Sequence, residues 1–146
     1  MTLHTGRHFL QIPGPTNVPD RVLRAMDMPT MDHRGPEFAV LGFDVLAGCQ
    51  RIFRTKQPAI IYPSSGTGAW EAAIVNTLSP GDKVLMCETG QFAVLWLGIA
   101  QKFKLDVEVI PTDWRRVVPV EQIEERLKAD RDHKIKAVMV VHNETS

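Results

Sequence analysis

Ala59-Ile60-Ile61-Tyr62-Pro63-Ser64-Ser65-Gly66-Thr67-Gly68-Ala69-Trp70-Glu71 passes from a short apolar run, through a bend of small residues, into an alanine-rich segment. The run 59–62 predicts a strand and residues 69–78 a helix, so the bend joins a strand's carboxyl end to a helix start. The alternation then repeats. Strands are expected over 83–87, 105–110 and 135–141, and helices over 92–103 and 119–129. Ser79-Pro80-Gly81-Asp82 marks a turn. Strands separated by helices of about ten or more residues indicate βαβ crossovers, and therefore an α/β fold with a mainly parallel sheet. The nearly all-apolar run at 135–141 predicts a strand covered on both faces.

Upstream of this repeat the pattern is different. Pro13, Gly14, Pro15 and Pro19 punctuate an extended arm. Asp20 is placed to cap a short helix ending near Met26. His33-Arg34-Gly35-Pro36 reads as a loop, and Pro36 suits the first turn of a helix running to about Arg54. Phe38, Leu41, Val45 and Ile52 lie near one face of that helix. The expected division is an arm with helices over 1–57 and the first part of a larger α/β domain over 58–146. The chain stops at His142-Asn143-Glu144-Thr145-Ser146, directly after a central-looking strand. Residues in such a place line the ligand crevice of an α/β sheet, so a fragment is expected.

Composition narrows the function classes. The chain has 146 residues, and 17 Lys+Arg balance 17 Asp+Glu. With 44% hydrophobic residues and no net charge, a folded core is expected and disorder is not. Neutrality argues against a nucleic-acid partner. No apolar run approaches the roughly 20 residues of a membrane span, and the N-terminus has no secretory pattern. Cys49 and Cys87 form no CxxC pair and are expected to be unpaired thiols of a reducing, cytoplasmic compartment.

Three places carry candidate chemistry. At Ser65-Gly66-Thr67-Gly68 the glycines let the backbone approach an anion, the helix start offers free N–H groups, and the hydroxyls add donors. A phosphate cradle and a plain capped helix both fit these residues. The sequence has no GxxxxGK[ST] and no GxGxxG, so a monophosphate fits better than a triphosphate. Phe92 follows the strand at 83–87, where its ring could stack on a flat heteroaromatic ligand or simply begin a core helix. His142, Asn143, Glu144 and Thr145 form either a crevice rim or a turn. His142 and Glu144 alone are too few for a metal site, and none is expected.

Taken in order, these segments resemble the class V (fold type I) pyridoxal-phosphate aminotransferases, with the nearest likeness to the serine–glyoxylate and alanine–glyoxylate group. The motifs are Pro13-Gly14-Pro15-Thr16-Asn17-Val18-Pro19 and His33-Arg34-Gly35-Pro36-Glu37-Phe38, followed by Ser65-Gly66-Thr67-Gly68-Ala69-Trp70-Glu71-Ala72-Ala73. Asn76-Thr77-Leu78-Ser79-Pro80-Gly81-Asp82, Gly90-Gln91-Phe92 and Val141-His142-Asn143-Glu144-Thr145-Ser146 complete the set. The resemblance implies the N-terminal portion of a three-layer large domain binding pyridoxal 5'-phosphate. In it Ser65, Gly66 and Thr67 would hold the phosphate, Phe92 would stack on the pyridine ring, and Thr145 would lie near its phenolic oxygen. His33 and Arg34 match a loop that in related enzymes reaches the partner subunit's active site; a solvated loop explains them equally well. A homodimer using amino-acid and 2-oxo-acid substrates is implied for the complete enzyme.

The same family needs a lysine that carries the cofactor, an aspartate under the pyridine nitrogen and an arginine for the substrate carboxylate. None of Lys56, Lys83, Lys102, Lys104, Lys128, Lys134 or Lys136 sits in a matching context, so no catalytic residue is assigned and the chain alone is expected to be inactive. Two alternatives stay open: a non-enzymatic α/β module binding a small phosphorylated ligand, and another class V reaction such as phosphonate transamination or cysteine desulfuration.

Overall fold

The computed structural model describes residues 9–10 and 14–144. The chain forms two compact units, one containing Thr16–Pro63 and the other Ser64 onward, with Gly14 and Pro15 grouped with the second.

In the first unit, α1 spans Asp20–Met26 and α2 spans Pro36–Phe53. Pro36 occupies the first turn of α2, where its missing N–H costs nothing. Arg54 ends α2 in the left-handed conformation, with its N–H on the carbonyls of Arg51 and Gln50. Asp20 lies inside the first turn of α1, and Pro19 takes the N-cap position without a side-chain bond. Neither helix contains a buried residue. The strand expected over 59–62 is absent. No ladder partner meets it among the described residues, and Ile60 is 82% exposed. An apolar run becomes a strand only when neighbouring backbone satisfies its N–H and C=O groups.

The second unit carries the βαβ repeat. Its order is α3 (Gly66–Thr77), β1 (Lys83–Glu88), α4 (Gln91–Lys102), β2 (Asp106–Pro111), α5 (Val120–Ala129) and β3 (Ile135–Met139). The three strands form a parallel sheet in the order β2-β1-β3, with β1 central. Lys83 pairs with Asp106 on one side and Ile135 on the other, and the β3 register shifts between Lys83 and Val84. The tight turn into β1 depends on Gly81, whose φ of +90° suits glycine and whose N–H reaches the Lys104 carbonyl at 2.7 Å.

Alternating side chains of β1 serve two cores. Val84 and Met86 pack with Ile74, Ala93, Ala100 and Met139 beneath α3 and α4. Leu85 and Cys87 pack with Ile110, Ile123 and Ile135 on the α5 side. This is the three-layer arrangement that a strand buried on both faces requires. Burial pushes the Cys87 thiol above its ordinary pKa, and both cysteines are free.

Two further expectations differ in the second unit. β3 is not covered on both faces. Lys136, Val138 and Val140 are exposed while Met139 is buried, because α5, on the Leu85 side of the sheet, packs through Ile123 against Leu85, Cys87 and Ile110 and leaves these β3 positions uncovered. α5 also buries less than its pattern suggests: Ile123 packs, but Val120 and Leu127 are exposed. No described helix is long and apolar enough to cross a membrane.

Candidate functional site

The carboxyl ends of parallel strands and the N-termini of the helices packed on them face the same edge of a sheet. Here that edge gathers the starts of α3 and α4 and the residues after β1, β2 and β3. The starts of α3 and α4 are very different.

α3 begins at Gly66, three residues earlier than the alanine-rich segment alone predicts, because Ser65 has the extended backbone of an N-cap. The Ser65 side chain makes no capping bond. The Gly68 N–H turns back to the Ser65 carbonyl at 3.0 Å. The amides of Gly66 and Thr67 precede the first intrahelical acceptor. A Cβ built on Gly66 would meet nothing within 4 Å. The Ser65-Gly66-Thr67 corner is thus an exposed group of N–H and O–H donors at the positive end of a helix dipole.

At the start of α4 the amides are already taken. The Glu144 carboxylate, beyond the end of β3, accepts the Phe92 N–H on Oε2 at 3.0 Å and the Ala93 N–H on Oε1 at 2.7 Å. Phe92 is half-buried in the first turn. Its ring meets Trp70 edge-on, with centroids 6.1 Å apart. Trp70 stacks in turn on Trp96 at 5.3 Å. Aromatic contact therefore fixes the stacking candidate of α4 against the first turns of α3.

The ends of β1 and β2 are strapped together. The Thr112 hydroxyl donates to the Glu88 carbonyl at 2.8 Å, and Trp114 Nε1 donates to Glu88 Oε1 at 3.3 Å. Next to Glu88, Thr89 is only 8% exposed, and its Oγ1 has no hydrogen-bond partner among the described residues. Thr89, Trp114, His142 and Glu144 line a cleft of about 440 Å³.

Four of the residues expected to hold the cofactor, Ser65, Gly66, Thr67 and Phe92, are thus gathered by α3 and α4. Thr145 lies outside the described residues. His33 and Arg34 sit in an exposed loop of the first unit, where Asp32 Oδ1 accepts the Arg34 N–H at 2.9 Å. Among the described residues no three His, Cys, Asp or Glu side chains group as metal ligands. Sequence reasoning passed over the capping role of Glu144 and the wedge role of Trp70. A capping box shows itself as a residue pair three apart in sequence, whereas Glu144 is 52 residues from Phe92.

Residues 8–146 match the family described as "Aminotransferase class-V". The chain belongs to the class V aminotransferases. It is 48% identical over 146 residues to a serine–glyoxylate aminotransferase of Methylorubrum extorquens, covering 99% of this chain and 36% of that protein. An L-aspartate–glyoxylate aminotransferase of Paracoccus denitrificans is 45% identical over 143 residues, covering 97% of this chain and 36% of its own length. Among solved structures, an alanine–glyoxylate aminotransferase of Nostoc sp. superposes with a TM-score of 0.79 at 31% identity, over 99% of this chain and 38% of that one. The fold is that of the fold type I aminotransferases. This chain spans a little over a third of the length of the relatives it matches.

Proposed function

We propose that the full-length protein is a pyridoxal-phosphate-dependent aminotransferase that moves the amino group of serine, or alanine, to glyoxylate, and that this chain is the N-terminal part of it. Residues 1–57 supply an arm and helices, and residues 58–146 open the cofactor-binding domain. One observation carries the reading: among the described residues the N-terminus of α3 has no side-chain capping bond, and Trp70 of the same helix holds Phe92 edge-on beside it. That donor set suits a phosphate monoester, and a half-exposed ring next to it suits a flat heteroaromatic.

When bound, pyridoxal phosphate supplies an electron sink for the pair released as the substrate's Cα–H bond breaks. The chain's own residues do the holding. Ser65, Gly66 and Thr67 would hold the phosphate, Phe92 would stack on the ring, and Thr145 is assigned to the phenolic oxygen. A phosphate anchor together with a stacking face would fix the ring's position, and so the direction in which the reacting bond points. The lysine, aspartate and arginine that complete the chemistry are expected in other parts of the protein. His33 and Arg34 are assigned to a loop serving the partner subunit of a cytoplasmic homodimer.

The test is a purified full-length protein supplied with pyridoxal phosphate and glyoxylate. Glycine should form at the expense of serine or alanine. The relatives named for serine and for aspartate are similar to this chain to nearly the same degree, so aspartate belongs in the donor panel, and cysteine tests for sulfur removal. Glycine formation from none of these donors would refute the transaminase reading.

A further inference from the structure

Glu144 joins two loops that are remote in sequence. Its carboxylate takes both first-turn amides of α4 that flank the stacking residue, Phe92 N–H at 3.0 Å and Ala93 N–H at 2.7 Å. A carboxylate at that place also complements the helix dipole. The fit is tight: a Cβ on Gly90 would lie 2.5 Å from Glu144 Cδ and 2.6 Å from Oε2. The φ of Gly90 is 173°, an extended value open to any residue. Any side chain at Gly90 would therefore have to push the Glu144 carboxylate aside, while the Gly90 backbone itself makes no demand for glycine. On the other side, Trp70 holds the Phe92 ring edge-on at 68°.

The geometry points to Glu144 as a positioning residue for the cofactor ring. Its two-oxygen clamp sets the backbone at Phe92, and with it the height and tilt of the stacking ring. It also ties the loop that leads to Thr145 to the same point. By closing the α4 N-terminus with negative charge, it keeps that helix start from competing with α3 for the phosphate. This inference rests on the cofactor reading above and deepens it.

The test uses full-length protein with Glu144→Ala, Glu144→Gln and Gly90→Ala. Three quantities are read: the dissociation constant for pyridoxal phosphate added to apoprotein, the circular dichroism of the bound cofactor, and hydrogen exchange at the Phe92 and Ala93 amides. Glu144→Ala should raise the dissociation constant about tenfold, the scale of losing hydrogen bonds to a charged group. It should also weaken the cofactor's dichroic band and expose both amides to exchange. Glu144→Gln keeps one acceptor oxygen and should recover most of the affinity. Gly90→Ala displaces the carboxylate and should behave like Glu144→Ala, so it carries the test if Glu144→Ala does not fold. Faster amide exchange with affinity and dichroism unchanged would overturn the positioning role and leave only a helix cap. Wild-type protein that protects both amides but binds no pyridoxal phosphate would refute the cofactor reading, and the positioning role with it.

Discussion

Thr67 sits second in α3 and offers both an amide and a hydroxyl at the open helix start. Ser65, not Thr67, is the N-cap, so removing the Thr67 hydroxyl spares the helix and tests the grip alone. Thr67→Ala in the full-length protein is expected to weaken cofactor retention by about 1–2 kcal/mol, as for a lost hydrogen bond to a charged group. Equilibrium titration of the apoprotein measures it, and unchanged retention would remove Thr67 from the cradle. The helix start at this corner shows in the sequence as a run of small residues ahead of an alanine-rich segment, although the strand expected before it does not form. Phe92 was readable as a ring after a strand, but what fixes it was not. Trp70 acts across the α3–α4 contact and Glu144 from the loop after β3, 22 and 52 residues away from Phe92 in sequence, and no local pattern encodes either partner.

The elements divide along the same physical line. Strands and helices of the second unit follow from periodicity because β1 is buried on both faces and the elements around it pack against it. Residues 59–62 have the composition of a strand without a ladder, since composition specifies a preference and pairing requires a neighbour. Exposure of one face of β3 has the same origin. The amino-edge end of the sheet also carries an ion-pair cluster that sequence reading did not find. Glu108 on β2 accepts from Lys83 on β1 at 2.7 Å and from Arg126 on α5 at 2.8 Å. The Lys83 hydrogen bond holds the Glu108 carboxyl below its ordinary pKa, and the same bond raises that of Lys83. A depressed carboxyl contributes stability above its unfolded pKa and loses it as pH falls through the lower folded value. A raised amine contributes below its unfolded pKa and loses stability as pH rises through the higher folded value. Thermal unfolding followed across pH should therefore show less acid-side loss in Glu108→Gln than in wild type. An identical acid-side slope in the two proteins would show that the cluster is too solvated to matter.

At the scale of the whole chain, two consequences follow from what the 146 residues leave uncovered and where they place their lysines. Phe43, Ile52, Phe53 and Ile60 are each more than 70% exposed, and apolar surface of that kind promotes association. Expressed alone, the chain is expected to associate with rising concentration in sedimentation or light scattering; a stable monomer throughout would contradict this. The lysines make the sharper case. In the second unit Lys83 begins β1, Lys134 and Lys136 border the start of β3, Lys102 and Lys104 lie at the end of α4, and Lys128 at the end of α5. Those are strand starts and helix ends, so they lie at the edge of the sheet opposite the one where α3 and α4 begin. Lys83 is also held by Glu108, Lys128 by Glu124 at 2.6 Å and Lys134 by Asp132 at 3.1 Å. A lysine that must reach a ring gripped at the α3 N-terminus has no candidate among these six. Borohydride reduction of the isolated chain with an equimolar amount of pyridoxal phosphate, followed by peptide mass spectrometry, should find no single lysine labelled stoichiometrically. In the full-length protein one should be, outside residues 1–146. Stoichiometric labelling of any of the six would mean that the phosphate is held at the other edge of the sheet, and the cradle at Ser65-Gly66-Thr67 would have to be abandoned.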